Sequence, residues 1–301
     1  MSKFKSGFVA IIGRPNVGKS TFMNYILGQK VSIISPKPQT TRNVIQGIYT
    51  TDKEQIIFID TPGIHKPKHE LGQIMNKSAI NTLKEVDMIL LIIDGTSDYG
   101  TGDEFVVNLF KDVTTPVILV VNKIDLVKNK QKLMENIIKF NEAKEFDEVY
   151  YISAKLGENV DKLLGAISSK LEEGPMYYPD DQVTDHPEQF IIAEIIREKV
   201  LYLTKEEVPH SIAVVLEEMK HDEDGLMNIR AVIYVERASQ KKIIIGKGGA
   251  LIKEIGTQAR KEIVMLIGEK IFLEIWVKVE DDWRNKKSRL KSMGYYLENN
   301  N

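Results

Sequence analysis

The chain has 301 residues, a formal net charge of −2 and no cysteine. This length is typical of two domains of ordinary size. The absence of cysteine excludes disulfide, iron–sulfur and thiolate chemistry, and it agrees with a reducing cytosol. The net charge argues against affinity for nucleic acid over the whole surface, although a local basic patch remains compatible with it. The sequence shows neither a signal peptide nor an apolar run long enough to span a membrane.

A glycine-rich loop follows the first apolar segment. Residues 8–12 form an apolar run with β-branched side chains, which predicts a buried strand, and residues 21–27 predict a helix. The loop between them has the pattern G-x-x-x-x-G-K-S. This order is typical of a phosphate-binding loop, or P-loop, because inward backbone N–H groups and the helix dipole attract an anion. Lys19 is predicted to reach the β- and γ-phosphates, and the Ser20 hydroxyl to ligate Mg²⁺. The predicted nucleotide contacts of this loop are Gly13, Arg14, Pro15, Asn16, Val17, Gly18, Lys19, Ser20 and Thr21.

A second phosphate-related motif follows further along the chain. Residues 31–42 are polar, irregular and too long for a tight turn, which predicts a mobile functional loop. The β-hairpin predicted next, with strands over 44–50 and 55–60, ends in the sequence D-T-P-G. Asp60 is predicted to hold the Mg²⁺ shell, and the Gly63 N–H to sense the γ-phosphate. The nucleotide contacts predicted in this segment are Asp60, Thr61, Pro62 and Gly63.

The sequence N-K-I-D, which follows a buried strand predicted over 116–121, indicates recognition of guanine. The Asp125 carboxylate can accept hydrogen bonds from N1–H and from the exocyclic amine of guanine. Adenine lacks this pair of donors and would leave the carboxylate unpaired. Asn122 is predicted to contact the purine N7 and to tie this segment to the P-loop.

The last strand of this half, predicted over 149–152, ends in S-A-K. The Ala154 N–H is predicted to meet the guanine O6, and the stem of Lys155 to cover the ring face. The guanine contacts predicted in the two segments are Asn122, Lys123, Asp125, Ser153, Ala154 and Lys155. The ordered motifs resemble those of the translation-factor-related small GTPases. This resemblance implies an α/β fold with a mixed, mostly parallel sheet, helices on both faces and a nucleotide at the carboxyl edge.

The second half follows a segment dense in proline, glycine and acidic residues, which predicts a linker over 175–187. Residues 188–203 carry an apolar stripe with helical spacing. Two β-branched runs, 211–217 and 228–236, predict a hairpin, and the acidic residues between them are interpreted as its solvated tip rather than as a metal site. The predicted domain boundaries are 1–174 for the first domain, 175–187 for the linker and 188–301 for the second domain.

A G-x-x-G element lies within a local excess of basic residues. It spans 246–249, between a strand-like run over 241–245 and a helix predicted to end near Ile267. Residues 237–261 contain seven basic side chains and one acidic, whereas 187–301 contains nineteen of each. This pattern is typical of the KH-domain loop, which clamps about four nucleotides of single-stranded RNA. The predicted RNA contacts are Lys241, Lys242, Gly246, Lys247, Gly248, Gly249 and Lys253.

The chain is predicted to close with a strand over 270–280 and a basic helix over 283–293. The order helix, strand, strand, helix, strand, helix is consistent with a KH fold of the type found in bacterial proteins. Trp283 is interpreted as a packed core aromatic, with stacking on a base as the alternative.

The full set of motifs resembles the Era family of bacterial GTPases. The matching segments are G-R-P-N-V-G-K-S-T, Q-T-T-R, D-T-P-G and N-K-I-D in the first half, and I-I-G-K-G-G and V-K-V-E-D-D-W-R-N in the second. The resemblance implies a P-loop GTPase domain followed by a smaller α+β KH domain, which binds the 3′ end of small-subunit ribosomal RNA during assembly of the 30S ribosomal subunit. Peripheral association with the inner face of the cell membrane is also attributed to the family, and a cytoplasmic monomer is expected.

The resemblance also assigns residues that the pattern alone leaves open. Thr41 is favoured over Thr40 as the switch threonine, and Asn16 implies a K⁺ ion near the phosphates, in addition to GTP or GDP and Mg²⁺. Ile64 stands where Ras-like proteins carry a catalytic glutamine. An isoleucine cannot polarise water, so slow intrinsic hydrolysis is expected, although the side chain can also simply pack in the core. The metal ligands implied are Ser20, Thr41 and Asp60, and the catalytic residues are Lys19, Thr41 and Gly63.

Three functions remain open at this point. The favoured one is a GTP-hydrolysing switch on RNA, and the first alternative is an RNA-binding assembly protein whose nucleotide is structural and rarely hydrolysed. An ATP-driven motor is the second alternative, which Asp125 disfavours. His65 and His69 have the i, i+4 spacing of a metal site, but Pro67 between them disfavours a continuous helix, so a loop that moves with the γ-phosphate is preferred.

Overall fold

A computed structural model describes residues 4–37, 39–110, 113–205 and 208–295. These residues divide into two compact units. The first extends to Asp185, and the second begins at His186 and also takes in two short stretches, 35–37 and 69–71.

The first unit is built on a six-stranded sheet with helices in its connections. Its elements are β1 (Lys5–Ile12), α1 (Lys19–Leu27), β2 (Ile45–Thr50), β3 (Glu54–Asp60), α2 (Glu70–Thr82), β4 (Met88–Asp94), α3 (Thr101–Asn108), β5 (Val117–Asn122), α4 (Lys130–Ala143), β6 (Glu148–Tyr151) and α5 (Val160–Lys170). The strand order is β2-β3-β1-β4-β5-β6. Only β2 pairs antiparallel among these strands, so the mixed, mostly parallel α/β fold is confirmed.

The central strands form the core of this unit. Every residue from Met88 to Ile93 in β4 is buried, as is all of β5. Parallel strands that are covered on both faces are continuous apolar runs, which is why these two could be recognised in the sequence. Polar residues follow where the strands end, and the carboxyl ends of parallel strands meet at one edge of the sheet. That edge therefore gathers the polar motifs.

The segment predicted as a linker, 175–187, lies largely within the first unit. Gln55 Nε2 donates to the Tyr178 carbonyl at 2.9 Å, and the Ile48 N–H donates to the Val183 carbonyl at 3.0 Å. These bonds tie the segment to β3 and β2, so most of it is ordered against the sheet.

The second unit is an α+β unit with a three-stranded sheet. Its elements are α6 (Glu188–Leu203), β7 (Ala213–His221), β8 (Met227–Val235), α7 (Ala238–Ile245), α8 (Ala250–Ile267), β9 (Ile271–Val279) and α9 (Lys287–Ser292). The central strand β8 pairs antiparallel with β7 and parallel with β9. Throughout the described ranges of both units, no helix combines the length and the apolar composition needed to cross a membrane.

The prediction of a strand-like segment over 241–245 is wrong, because these residues belong to the helix α7. Gln240 Oε1 accepts the N–H groups of Glu236 and Arg237 at 3.0 Å, which caps the start of the helix. Ile244 is fully buried while Ile243 is 44% exposed, as a helix in contact with the core on one side requires. The run of isoleucines favoured a strand by propensity, but the cap and the packing make it helical.

The basic helix predicted over 283–293 is also shorter than expected. A 3₁₀ turn spans Trp283–Asn285, and α9 begins only at Lys287. The Trp283 ring is fully buried, and its Nε1 donates to the Ser211 carbonyl at 3.0 Å. This confirms its interpretation as a core aromatic, since a buried indole needs an acceptor.

Candidate functional site

The loop between β1 and α1 admits only glycine at two positions. A Cβ at Gly18, where φ is +102°, would lie 2.2 Å from Asn122 Nδ2. A Cβ at Gly13 would lie 2.3 Å from the Ile92 carbonyl oxygen. Both distances are far inside van der Waals contact, so any side chain would displace the loop from the ends of β4 and β5.

The Lys19 ammonium lies inside this loop. Its Nζ donates to the carbonyls of Gly13 and Arg14 at 3.3 and 3.1 Å, and the residue is 6% exposed. Burial lowers the pKa of Lys19 to about 8, although the charge of Asp60 opposes this shift. A desolvated ammonium beside a glycine loop is well placed to bind phosphate, because an anion would restore the charge balance.

Three predicted metal ligands from separate segments meet beside Lys19. Ser20 Oγ donates to Asp60 Oδ2 at 2.7 Å and lies 2.9 Å from Thr41 Oγ1. Burial raises the pKa of Asp60, while the charge of Lys19 and the hydroxyl donors lower it. Asp60 Oδ1 is buried and has no hydrogen-bond partner among the described residues. Two hydroxyls and a carboxylate with a free oxygen form the hard donor set that Mg²⁺ prefers, so these residues fit the ion.

The D-T-P-G segment packs directly on the P-loop. A Cβ at Gly63 would lie 2.7 Å from the Pro15 nitrogen, so only glycine allows this approach. The Ile64 N–H donates to the Gly13 carbonyl at 3.2 Å, and the Ile64 side chain is 1% exposed. Ile64 therefore packs in the core. The His65 ring lies within hydrogen-bond distance of the Gly63 carbonyl on one side and of the Gln39 amide on the other, at 2.9 Å each.

The Asn122 amide joins three loops. Its Nδ2 donates to the Val17 carbonyl at 2.8 Å, and its Oδ1 accepts the Ala154 N–H at 2.9 Å. The amide thereby connects the P-loop with the segments that carry N-K-I-D and S-A-K. Because Asn122 already accepts the Ala154 N–H, a base oxygen at this position would have to share that donor.

The residues predicted to read and cover the base lie next to this junction. Asp125, in a 3₁₀ turn over Ile124–Leu126, and Lys155 are both exposed, so both are accessible to a ligand. Lys123 Nζ donates to Asp94 Oδ2 at 2.6 Å and to the Asn16 carbonyl at 2.7 Å. Lys123 thus fixes the backbone of the P-loop.

Some residues of this site could not be found from the sequence. Arg14 Nη1 is paired with Asp103 Oδ2 at 2.8 Å, and Lys123 is paired with Asp94. Ser32 Oγ donates to Asp60 at 3.0 Å. No local pattern marks these partners, because each acts on a residue distant in the chain.

The G-x-x-G element forms a turn between α7 and α8. Gly246, Gly248 and Gly249 have φ values of +73°, +60° and +81°, a region that disfavours side chains. A Cβ at Gly248 or Gly249 would meet no atom within 4 Å, and Lys247 and Gly248 are exposed. The turn therefore presents an accessible backbone at Gly248 and Gly249, next to the positive charge of Lys247.

A groove of about 830 Å³ lies between α8 and β9, next to this turn. Its lining residues are Ile252, Lys253, Gly256, Thr257, Arg260, Lys261, Val264, Met265, Lys270, Leu273 and Ile275. Aliphatic side chains and basic side chains line it together, a combination that suits bases and phosphates of a single strand. Lys253 is the predicted RNA contact that lines the groove. Lys241 and Lys242 lie on α7 instead.

Comparison with known proteins covers both units. The family model described as a 50S ribosome-binding GTPase matches residues 8–123, and the KH domain model matches residues 207–284. The crystal structure of Era in complex with MgGDPNP and nucleotides 1506–1542 of 16S ribosomal RNA is 44% identical to this chain, with a TM-score of 0.94. The match covers 98% of this chain and 100% of that one. The chain belongs to the Era family.

A second Era structure agrees equally well. A tyrosine-to-alanine variant of Aquifex aeolicus Era bound to GDP·AlF4⁻ is 44% identical in sequence to this chain, with a TM-score of 0.93. The match covers 98% of this chain and 100% of the Era chain. Both Era structures match over their full length. The similarity to Era therefore includes both the first unit, with its P-loop, and the second unit, with its basic groove.

We expect Lys19 to lose its proton near pH 8 in the ligand-free protein, because burial lowers its pKa to about 8. The side chain is charged below this pH and neutral above it, so the affinity for an anion such as pyrophosphate should fall as pH rises through 8. NMR of ¹³C-labelled lysine side chains measures the titration, with Lys19→Arg assigning the signal. Pyrophosphate should move the titration to higher pH. A Lys19 signal that titrates at the ordinary value of about 10.4 would contradict the expectation.

Proposed function

We propose that this chain is a GTP-binding and GTP-hydrolysing switch that binds the 3′ end of small-subunit ribosomal RNA and assists assembly of the 30S ribosomal subunit. The observation that carries the proposal is the meeting of Ser20, Thr41 and Asp60 beside Lys19, in a chain that matches Era over 98% of its length. Era itself has been crystallised with MgGDPNP and nucleotides 1506–1542 of 16S ribosomal RNA. We assign residues 1–174 to the GTPase domain, 175–187 to the linker and 188–301 to the KH domain.

In the proposed GTPase site, the P-loop backbone from Gly13 to Gly18 surrounds the phosphates, and Lys19 neutralises their charge. Ser20, Thr41 and Asp60 would supply oxygen ligands to Mg²⁺, and the ion when bound would offset negative charge on the phosphates. Gly63 packs against Pro15 of the P-loop, and we propose that its N–H detects the γ-phosphate.

We propose that GTP hydrolysis is slow unless a further group orients the attacking water or adds positive charge at the phosphates. Ile64 is 1% exposed and carries no atom that could orient a water, so the position used by a catalytic glutamine supplies no polar group. Asn16 is exposed at the P-loop, and its carbonyl is held by Lys123. We propose that Asn16 binds K⁺ there and thereby adds positive charge next to the phosphates.

We expect the purified chain to release phosphate from GTP in the presence of Mg²⁺ and K⁺, because the residues that bind, polarise and neutralise the phosphates are gathered at one place. Ser20→Ala should abolish Mg²⁺-dependent turnover, and replacing K⁺ by a larger organic cation should slow it. Phosphate release assays measure both. If GTP binds tightly but no phosphate is released under any of these conditions, the alternative of an RNA-binding assembly protein with a structural nucleotide is favoured.

We expect Asp125→Asn to shift the preference from GTP to xanthosine triphosphate, because the amide offers a donor to the C2 oxygen of xanthine and no longer pairs with the guanine donors. Competition binding with a fluorescent nucleotide measures the preference. Asp98→Asn, a change of the same kind at an exposed carboxylate paired with Lys132, is the matched control and should keep GTP preference. A variant at Asp125 that still prefers guanine would show that another group reads the base.

For the KH domain, we propose that single-stranded RNA lies along the groove between α8 and β9, with its backbone on the G-x-x-G turn. The support is the exposed turn at Lys247 and Gly248, the aliphatic lining of the groove, and the positive charges of Lys253 and Arg260 beside it. Phosphate contacts of this kind supply much of the affinity for RNA and its dependence on salt.

We expect the double variant Lys247→Asp, Gly248→Asp to lose at least about tenfold in RNA affinity, roughly 1.4 kcal/mol, because two negative charges replace the phosphate contact. Fluorescence anisotropy with a pyrimidine-rich oligonucleotide of the ribosomal 3′ end measures this at fixed salt. Lys220→Asp, Gly225→Asp is the matched control: both residues are exposed, and Gly225 also has a positive φ with open space around it. Equal affinity of the folded variant and the parent would mean that the turn does not hold RNA.

We further propose that the protein acts in the cytoplasm as a monomer and associates peripherally with the inner face of the cell membrane. The membrane part rests on the resemblance to the Era family alone. Co-sedimentation with anionic lipid vesicles tests it.

A further inference from the structure

The carboxylate of Asp60 has a second hydroxyl donor besides Ser20. Ser32 Oγ donates to Asp60 Oδ2 at 3.0 Å, and Ser32 is 1% exposed. Ser32 stands in the segment that follows α1, and no nucleotide motif of the sequence includes it. A hydroxyl that donates to a buried carboxylate forms a charge-assisted bond, so this contact bears on the orientation of Asp60.

The backbone of Ser32 is itself fixed by a single side chain. Asn24 Oδ1 accepts the N–H groups of Val31 and Ser32, both at 3.0 Å, and Asn24 Nδ2 donates to the Ser32 carbonyl at 2.6 Å. Three hydrogen bonds from one amide leave the segment little freedom at this point. The position of the Ser32 hydroxyl is therefore set from α1.

Ser20 and Asn24 both belong to α1 and are four residues apart, so they lie on the same face of that helix. Two side chains on this face influence the position of the Asp60 carboxylate. Ser20 donates to the carboxylate directly, and Asn24 acts on it through Ser32.

The two donors share one oxygen of the carboxylate. Ser20 and Ser32 both donate to Oδ2, while Oδ1 is buried with no hydrogen-bond partner among the residues that the structure describes. When Ser20 is recruited as a metal ligand, Ser32 still provides a donor to Oδ2. The carboxylate would then keep its orientation, and Oδ1 would remain available to a bound Mg²⁺.

We propose that Ser32, held in place by Asn24, is a positioning residue for Asp60 and thereby sets the affinity of this site for Mg²⁺. The inference rests on the proposed function, because it takes Asp60 as part of the magnesium site. Removal of a side chain that orients a metal-binding group typically weakens metal affinity 10- to 100-fold.

The test compares Ser32→Ala and Asn24→Ala with the full-length parent. Ser6→Ala is the matched control, since Ser6 is also buried, lies at the start of β1, and has a hydroxyl with no hydrogen-bond partner within the described part of the chain. Stopped-flow fluorescence records the release of mant-GDP at increasing Mg²⁺ concentration. The readout is the Mg²⁺ concentration that slows release half-maximally, together with the release rate in EDTA.

We expect Ser32→Ala to raise the half-maximal Mg²⁺ concentration at least about tenfold, Asn24→Ala to raise it by a smaller factor, and Ser6→Ala to leave it unchanged. The release rate in EDTA should be the same in all four proteins, because the proposed loss concerns the metal. Circular dichroism confirms folding, and if Ser32→Ala does not fold, Asn24→Ala tests the same hydroxyl indirectly.

An unchanged Mg²⁺ midpoint in folded Ser32→Ala would overturn the positioning role and leave the proposed function intact. A release rate in EDTA that changes as much as the rate in saturating Mg²⁺ would also overturn it, because Ser32 would then be shaping the nucleotide pocket in general. If mant-GDP release from the parent does not depend on Mg²⁺ at all, the magnesium site itself fails, and the positioning role fails with it.

Discussion

The buried carboxylate of Asp60 is the group on which the first unit's site depends. Burial of a carboxylate is costly unless charges and hydrogen bonds compensate for the lost water, and it raises the pKa of Asp60 here. The compensation comes from the charge of Lys19 and from the hydroxyls of Ser20, Ser32 and Thr41. These are the same groups that would hold phosphate and magnesium. The interactions that offset the cost of burying the Asp60 carboxylate therefore also bring the residues of the site together.

The topology of the sheet brings these groups together. Strands β1, β3, β4, β5 and β6 are parallel, so the segments that follow them share one edge. Glycines at positions 13, 18 and 63 then leave room for neighbouring groups that any side chain would displace. Asn122 fixes the result with two buried hydrogen bonds. The second unit carries a groove lined by basic and aliphatic side chains, and the near-neutral composition of the whole chain conceals this local positive charge.

The strand predicted over residues 241–245 is wrong for a specific physical reason. Three consecutive isoleucines look the same in a buried strand and in a half-buried helix, and only the cap from Gln240 and the exposure of Ile243 distinguish the two in the structure. The linker over 175–187 stays a prediction, and bonds such as that from the Gln55 side chain to the Tyr178 carbonyl hold part of this segment on the sheet. Trp283 was interpreted correctly, because a large aromatic next to an apolar strand is far more often packed than exposed.

The motifs for phosphate, magnesium, guanine and RNA could be read from the chain because each is short, and because the chemistry of each ligand demands particular residue types a few positions apart. The same holds for the buried parallel strands, whose apolar runs are local. The partnerships between segments could not be read in this way. Ser32 and Asp60 are 28 residues apart, and Arg14 and Asp103 are 89 apart. Such pairs depend on which strands become neighbours and how closely their loops approach, and only the packing of the folded chain settles that.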